Sequence, residues 1–348
     1  MSIRQLFTKK SSLLYSRLMD INSIKQRSLL AKNIRSWFED HNYLEVSTPV
    51  LSTHLIPEPT IAHFSTRYIS EFYQQRDLYL VPSPEVHMKH IIRETQSSIF
   101  QISQCFRNRE QIGSHHNPEF TMLEYYTVGA DEVDSIAITE QLMKETALEG
   151  TKEHLLPPFN TMSVSEAMYT YAQVDLEKTQ SLHSLKQEAQ RLGLSLPEQS
   201  ESWEETFHRI FLQFVEPNLP QEKPLVLYDY PMQIECLAKQ VPNKPYKKRW
   251  ELYAGGIEVA NCYDEQTDKE KVREFYTQQY AQLIHQRSNS DEVIPDIDLD
   301  FIEIFDEHFP QCSGVALGFD RLLMLQGGYN RVGDLMLFNV SDMIHPIR

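Results

Sequence analysis

The chain has 348 residues, of which 33 are Lys or Arg and 49 are Asp or Glu, for a formal net charge of −16. So acidic a chain is not drawn generally to phosphate backbones, which argues against a broad nucleic-acid footprint, and its length suffices for one large domain or two medium ones. Four widely spaced cysteines, Cys105, Cys236, Cys262 and Cys312, form no CxxC pair and point to reduced thiols with no zinc site. With no charged-then-apolar leader and no bilayer-length apolar run, a soluble, cytoplasmic protein free of membranes is expected.

Residues 1–20 read as a polar lead-in. From about Ile24 the spacing of Leu30, Ile34, Trp37 and Phe38 predicts a helix with one apolar face. NYLEVSTPVL then reads as a strand whose end is held extended by Pro49. The proline-rich segment Ile56 to Phe64 reads as a loop running into a strand. In LYLVPSPEVHMKHII a strand meets a Ser-Pro-Glu turn and a helix starting near Val86. There Pro84 suits a helix start and Glu85 the positive end of the dipole, so Ser83, Pro84 and Glu85 form, on the ordinary reading, a helix cap. His87 and His90 lie three apart on that helix, without a third ligand at suitable spacing for a metal.

The stretch CFRNREQIGSHHNPEFTMLEYY, Cys105 to Tyr126, reads as two short apolar strands joined by a polar loop that turns at Gly113. Arg107, Asn117, Glu119 and Phe120 give it a fork for phosphate or carboxylate, acids nearby and a ring to stack on a base. The alternative is a plain antiparallel hairpin with a polar tip. Residues 130–220 are mostly helical and carry little catalytic vocabulary. KPLVLYDYP, Lys223 to Pro231, is a buried-type strand. NKPYKKRW gathers Lys244, Lys247, Lys248 and Arg249, either a solvated loop or a docking site for an acidic macromolecule. In WELYAGGIEVANCYDEQTD, Glu251 and Glu258 flank a Gly-Gly turn, so adjacent antiparallel strands can aim both carboxylates at one cavity. Such a pair is costly unless a cation neutralises it; surface charges on a hairpin are the alternative. After a helix from about Thr267 to Arg287, CSGVALGFDRLLMLQGG reads as a strand feeding a helix, with Arg321 at the helix start. Gly314 and Gly318 within that strand suggest close approach of a ligand to the backbone.

These segments resemble the three motifs of the class II aminoacyl-tRNA synthetases, in order: LEVSTPVL, FRNRE…HNPEFTMLE and GVALGFDRLLML, the second in the form that marks the lysyl branch. The resemblance implies an α+β catalytic fold, an antiparallel sheet flanked by helices, over residues 21–348, with 130–220 as a mostly helical insertion. It implies a homodimer built around Pro49, and ATP contacts from Arg107, Glu110, Asn117, Phe120, Glu258, Val259, Gly318 and Arg321, with Arg107 and Arg321 catalytic. Magnesium would be held by Glu251 and Glu258. Ser83, Pro84, Glu85, Tyr126, Asn261, Glu265 and Ala316 would bind the amino acid, with Glu265 on a lysine-like ammonium. Cys262, where the family usually has glycine, is expected to narrow that pocket. The usual FRNE pattern here has an extra residue, and Glu110 rather than Arg109 is expected in the glutamate's place.

Motif 1 is reached by about residue 44, leaving no room for the anticodon-binding barrel of lysyl-tRNA synthetases. That architecture is similar to the stand-alone lysyl-synthetase paralogues that ligate beta-lysine to elongation factor P, and Ala316, where full synthetases typically have glycine, favours the same branch. The implied chemistry is ATP-dependent formation of a lysine or beta-lysine adenylate and its transfer to elongation factor P, with tRNA disfavoured as acceptor by the net acidity. Two alternatives stand beside it: a minimal enzyme charging a tRNA or another acceptor, and a catalytically dead regulatory or amino-acid-sensing paralogue.

Overall fold

A computed structural model describes residues 21–195, 201–338 and 340; the lead-in lies outside the described residues. The chain begins with α1 (Ile21–Asp40), β1 (Leu44–Glu45), β2 (Leu51–Ser52), β3 (Ser65–Tyr68), β4 (Arg76–Leu80), α2 (Glu85–Thr95), β5 (Ile99–Phe106) and β6 (Glu119–Val128). It continues through α3 (Glu132–Glu145), β7 (Asn160–Ser163), α4 (Val164–Ala172), α5 (Leu182–Arg191) and α6 (Trp203–Ile210). Then come β8 (Leu225–Pro231), β9 (Tyr246–Ala254), β10 (Ile257–Asp264), α7 (Lys269–Arg287), β11 (Cys312–Gly318) and α8 (Phe319–Gly327).

Eight strands form one sheet in the order β1-β5-β6-β11-β10-β9-β8-β7, and β2-β4-β3 make a smaller one. The large sheet is antiparallel from β5 to β8, with a parallel strand at each edge, β1 on β5 and β7 on β8. This is the expected α+β architecture, made mixed by its two edge strands.

Strand alternation gives the sheet two unlike faces. On the back, Phe100, Tyr125, Val315, Cys262 and Trp250 align across five strands. The next back row is Ile102, Leu123, Leu317, Ala260 and Leu252. Against these rows pack Leu30, Ile34 and Phe38 of α1, Leu142 and Met143 of α3, and Leu322 and Leu323 of α8. Phe38 stacks on Phe100 with ring centroids 4.4 Å apart. The buried Asp320 of α8 binds the elements together, accepting from the Thr121 N–H at 2.6 Å and from Arg27 of α1 at 2.6 Å. The front is covered only at its two ends. Helices α4 and α6 pack over β8 and β9 through Met168, Phe207, Leu225, Leu227 and Tyr253. Helices α2 and α7 pack over the β5 end through Met88, Ile92, Ile99, Val272 and Tyr276. Between these two caps a trough crosses the sheet.

Several expectations change. The strands of the Cys105–Tyr126 hairpin run for 8 and 10 residues, because pairing on both sides extends them beyond the hairpin itself. Cys262 cannot narrow a front pocket: alternation turns it into the back core, on the row of Trp250. Lys247, Lys248 and Arg249 of the basic run lie in β9, and most of the run's charge is neutralised within the chain. Lys247 reaches Glu235 at 3.2 Å, Lys248 lies between Glu132 and Asp264, and Arg249 contacts Glu251 at 2.6 Å, leaving Lys244 exposed. A docking site for an acidic partner needs unpaired cations, so that reading falls. In the 130–220 stretch, α3 lies under the sheet in the main core and β7 is an edge strand, while α4 to α6 carry the cap.

Phe38→Ala should lower unfolding free energy by about 3–5 kcal/mol, the usual cost of emptying a fully buried aromatic site. Leu212→Ala, at a position 57% exposed, should stay within about 0.5 kcal/mol. Urea titration of both variants measures the contrast.

Candidate active site

The trough floor follows from register. One front row reads Gln101, Glu124, Ala316, Asn261 and Glu251; the next reads Ile99, Tyr126, Gly314, Tyr263 and Arg249. Glu258 and Asn261 are three residues apart, which by strict alternation would put them on opposite faces. A bulge between Glu258 and Ala260 restores the phase, so Glu258 lies opposite Tyr253 and Asn261 opposite Glu251. Glu251, Glu258 and Asn261 thereby share the front.

At one end is a cavity of about 220 Å³ whose wall includes Arg107, Glu110, Asn117, Phe120, Glu258, Val259, Asn261, Ala316, Gly318 and Arg321. Arg107 leaves β5 with its guanidinium 5.2 Å from the centre of the Phe120 ring. Arg321, in the first turn of α8, donates to the Glu258 carbonyl at 2.8 Å and to the His115 carbonyl at 3.2 Å, and lies 3.6 Å from Glu258 Oε2. Asn117 is buried and donates to the Glu119 carbonyl, fixing the loop where it enters β6. Glu110 faces the cavity and contacts His116 at 2.8 Å; that hydrogen bond, chiefly, holds its carboxyl below the usual range. Arg109 points away, at φ 56°, and pairs with Glu292. The extra residue thus bulges outward and Glu110 keeps the inner position. A wider cavity of about 520 Å³ adjoins on the far side of Arg107 and Glu110, walled by Arg109, Arg287 and Glu292.

Glu251 is gripped by Arg249 at 2.6 Å and by the Tyr253 hydroxyl at 2.9 Å. Burial raises the Glu258 carboxyl above its ordinary value and the Glu251 charge adds to it, both weakened by solvent because 40% of the Glu258 side chain is open. No cluster of three or more His, Cys, Asp or Glu among the described residues is placed to hold a metal ion. Both Glu251 oxygens are engaged within the chain, and a cation held by Glu251 and Glu258 would have to complete its shell with phosphate oxygens and water, the habit of magnesium.

The other end is a nest of acids. Ser83 donates to Glu124 at 2.7 Å, and Tyr126 donates to the other Glu124 oxygen at 2.9 Å. Ser83 also accepts the Glu85 N–H at 3.0 Å, while the buried Pro84 occupies the cap position and supplies no side-chain bond. Glu265, just past β10, is 2% exposed. A Cβ on Gly314 would fall 2.3 Å from Glu265 and 2.7 Å from Tyr126. The protein's own side chains, rather than a ligand, thus require that glycine. Gly318 does face the cavity, and a Cβ there would meet nothing closer than 3.5 Å. Burial, reinforced by Glu85, pushes the Glu124 carboxyl up to about 8. Burial likewise takes Glu265 to about 7 against the pull of Lys89, and Glu58 to about 7 with Glu85 adding to it.

Sequence reasoning missed Glu124, Glu58 and Lys89. Glu124 was accessible, since it alternates with Tyr126 on one strand, and Lys89 lies one helical turn beyond Glu85. Glu58 comes from a proline-bounded loop with no period to reveal it.

The family model for class II tRNA synthetases (D, K and N) matches residues 6–341. The chain belongs to this class II synthetase family. Among curated relatives, the elongation factor P (R)-beta-lysine ligase of Haemophilus ducreyi is 34% identical over 92% of this chain and 94% of that protein. The protein of the same name from Vibrio vulnificus is 35% identical over 91% and 95%, and that from Proteus mirabilis 32% over 92% and 95%. The synthetase motifs accordingly span a trough with an arginine-lined cavity at one end and a carboxylate nest at the other.

A carboxyl raised from 4.5 to about 8 keeps its proton in the fold after the unfolded chain has lost it. Stability should therefore fall as pH rises from about 4.5 to 8, by up to about 1.4 kcal/mol per pH unit for one proton. Glu124→Gln should flatten that slope, as read from urea unfolding at pH 5, 6, 7 and 8; an unchanged slope would assign the proton elsewhere.

Proposed function

We propose that this protein activates a lysine-type diamino acid, (R)-beta-lysine in particular, with ATP and transfers it to a lysine side chain of elongation factor P. The observation that carries the reading is the juxtaposition, on one sheet face, of the Arg107, Glu258 and Arg321 cavity with the Glu85, Glu124 and Glu265 nest. The names of its relatives support it over most of the chain.

In the first step a carboxylate oxygen of the amino acid attacks the α-phosphorus of ATP. A phosphorus–oxygen bond forms, the bond to the departing pyrophosphate breaks, and an aminoacyl adenylate results. Arg107 holds the attacking carboxylate beside the α-phosphate with its planar fork, Phe120 and Arg321 enclose the adenine, and Arg321 reaches the terminal phosphate. Glu251 and Glu258 would hold magnesium, which when bound offsets phosphate charge. Catalysis by these residues is positioning and electrostatic stabilisation; no side chain needs to form a covalent bond. In the second step the uncharged lysine amine of the acceptor attacks the adenylate carbonyl, an amide forms, AMP departs and the amine loses a proton. The carboxylate nest with Ser83 and Tyr126 takes the substrate's distant ammonium, and the Ala316 methyl, flanked by Asn261 and Glu124, shapes the floor near the carboxylate.

The protein works as a homodimer through the segment around Pro49, where Leu44, Val50 and Leu51 are exposed. The cytoplasm is its compartment, in keeping with four buried free cysteines. No helix among the described residues is long and apolar enough to cross a membrane.

Amino-acid-dependent exchange of pyrophosphate into ATP tests the first step. Beta-lysine should drive exchange more strongly than alpha-lysine, and Ala316→Gly should shift the ratio toward alpha-lysine by about 10- to 200-fold, the range for one methyl group in a pocket. Arg107→Ala should lower the exchange rate by about 100-fold or more. Preference of the unaltered protein for alpha-lysine would promote a tRNA-charging reading, and no exchange with either would promote a regulatory one.

A further inference from the structure

The amine end of the trough holds a cation of its own. Lys89 of α2 is completely enclosed, with Nζ 2.5 Å from Glu85 Oε1 and 2.7 Å from Glu265 Oε2. Its flanking neighbour Met88 and the nearby Ile92 are core residues, so an apolar side chain at 89 would fit the helix's packing without bringing a charge out of water. The charge sits instead where two acids from different elements converge, one in the first turn of α2 and one just past β10. Glu265 is constrained from its other side as well, since its Oε1 fills the space that a Cβ on Gly314 would need.

We propose that Lys89 is a positioning residue for amino-acid recognition, an internal counter-ion that draws Glu85 and Glu265 together and fixes the gap into which the substrate's distant ammonium fits. The inference rests on the lysine-type reading of the trough. Two carboxylates within reach of one nitrogen repel each other, and in a buried site one of them takes up a proton unless a cation intervenes. Burial works against the Lys89 ammonium, but Glu265 and Glu85 more than offset it and hold its pKa above the usual lysine range. One lysine between two acids leaves a single negative charge, and Glu124 and Glu58 border the same space. With Lys89 holding Glu85 and Glu265, the remaining carboxylates of the nest are left to meet one more ammonium.

The test is pyrophosphate exchange by the full chain, varying the diamino acid at saturating ATP and then ATP at saturating diamino acid. Lys89→Met should raise KM for the amino acid by about 30-fold or more, the scale of losing one partner of a buried charge pair, and leave KM for ATP within about three-fold. Glu85→Gln should also raise the amino-acid KM. The double variant E85Q/K89M recovers the net charge of the unaltered nest, so its amino-acid KM should be lower than that of Glu85→Gln alone, a coupling that a packing role cannot produce. This comparison stands even if Lys89→Met by itself fails to fold. A double variant worse than Glu85→Gln, or a parallel rise of both KM values in Lys89→Met, would overturn the proposal. Absence of exchange by the unaltered protein with every lysine-type amino acid would overturn the underlying reading instead, and is seen before any variant is made.

Discussion

The antiparallel register running from β5 to β9 decides which side chains share a face, and both the core and the trough depend on it. A slip of one residue anywhere along it would turn a carboxylate into the core and an aromatic ring into the trough. Strict alternation would itself separate Glu258 from Asn261. The bulge at Val259 removes that conflict, and without it the two acids expected to share a cation would stand on opposite sides of the sheet.

Much of this was legible in the sequence because the informative residues lie on regular elements. The apolar face of α1, the strand ending at Gly318 and the helix start at Arg321 all follow from spacing, and the motif resemblance supplied the order. What failed, failed for physical reasons. The run Lys244 to Arg249 looked free because Glu132 is distant in sequence, Asp264 and Glu235 come from neighbouring segments, and Glu251 pairs with Arg249 two residues away on one strand face, which the loop reading hid. Cys262 was misplaced because its motif neighbours on either side, Asn261 and Tyr263, do face the trough, and alternation was not carried through to it. Gly314 was assigned to a ligand, whereas the crowding comes from Glu265 and Tyr126, a contact no local pattern reveals.

The carboxylate nest also shows where the fold gives up stability. Glu58, Glu124 and Glu265 are all pushed up toward neutrality by burial, so each opposes folding as the pH rises past the ordinary carboxylate range. Asp320, by contrast, is buried with its partners already supplied by Arg27 and the Thr121 N–H, and it serves to lock α1, β6 and α8 against the sheet.

The separation of duties between the two sheet faces bears on how such a protein changes over evolutionary time. Along β11, Val315 and Leu317 belong to the back core while Gly314, Ala316 and Gly318 line the floor. A substitution at 316 therefore alters the trough floor without disturbing the packing beneath, while one at 315 or 317 erodes the fold. Gene copies descended from one such ancestor can change the trough floor by single steps on alternate positions, each passing through a folded intermediate, without rebuilding the scaffold.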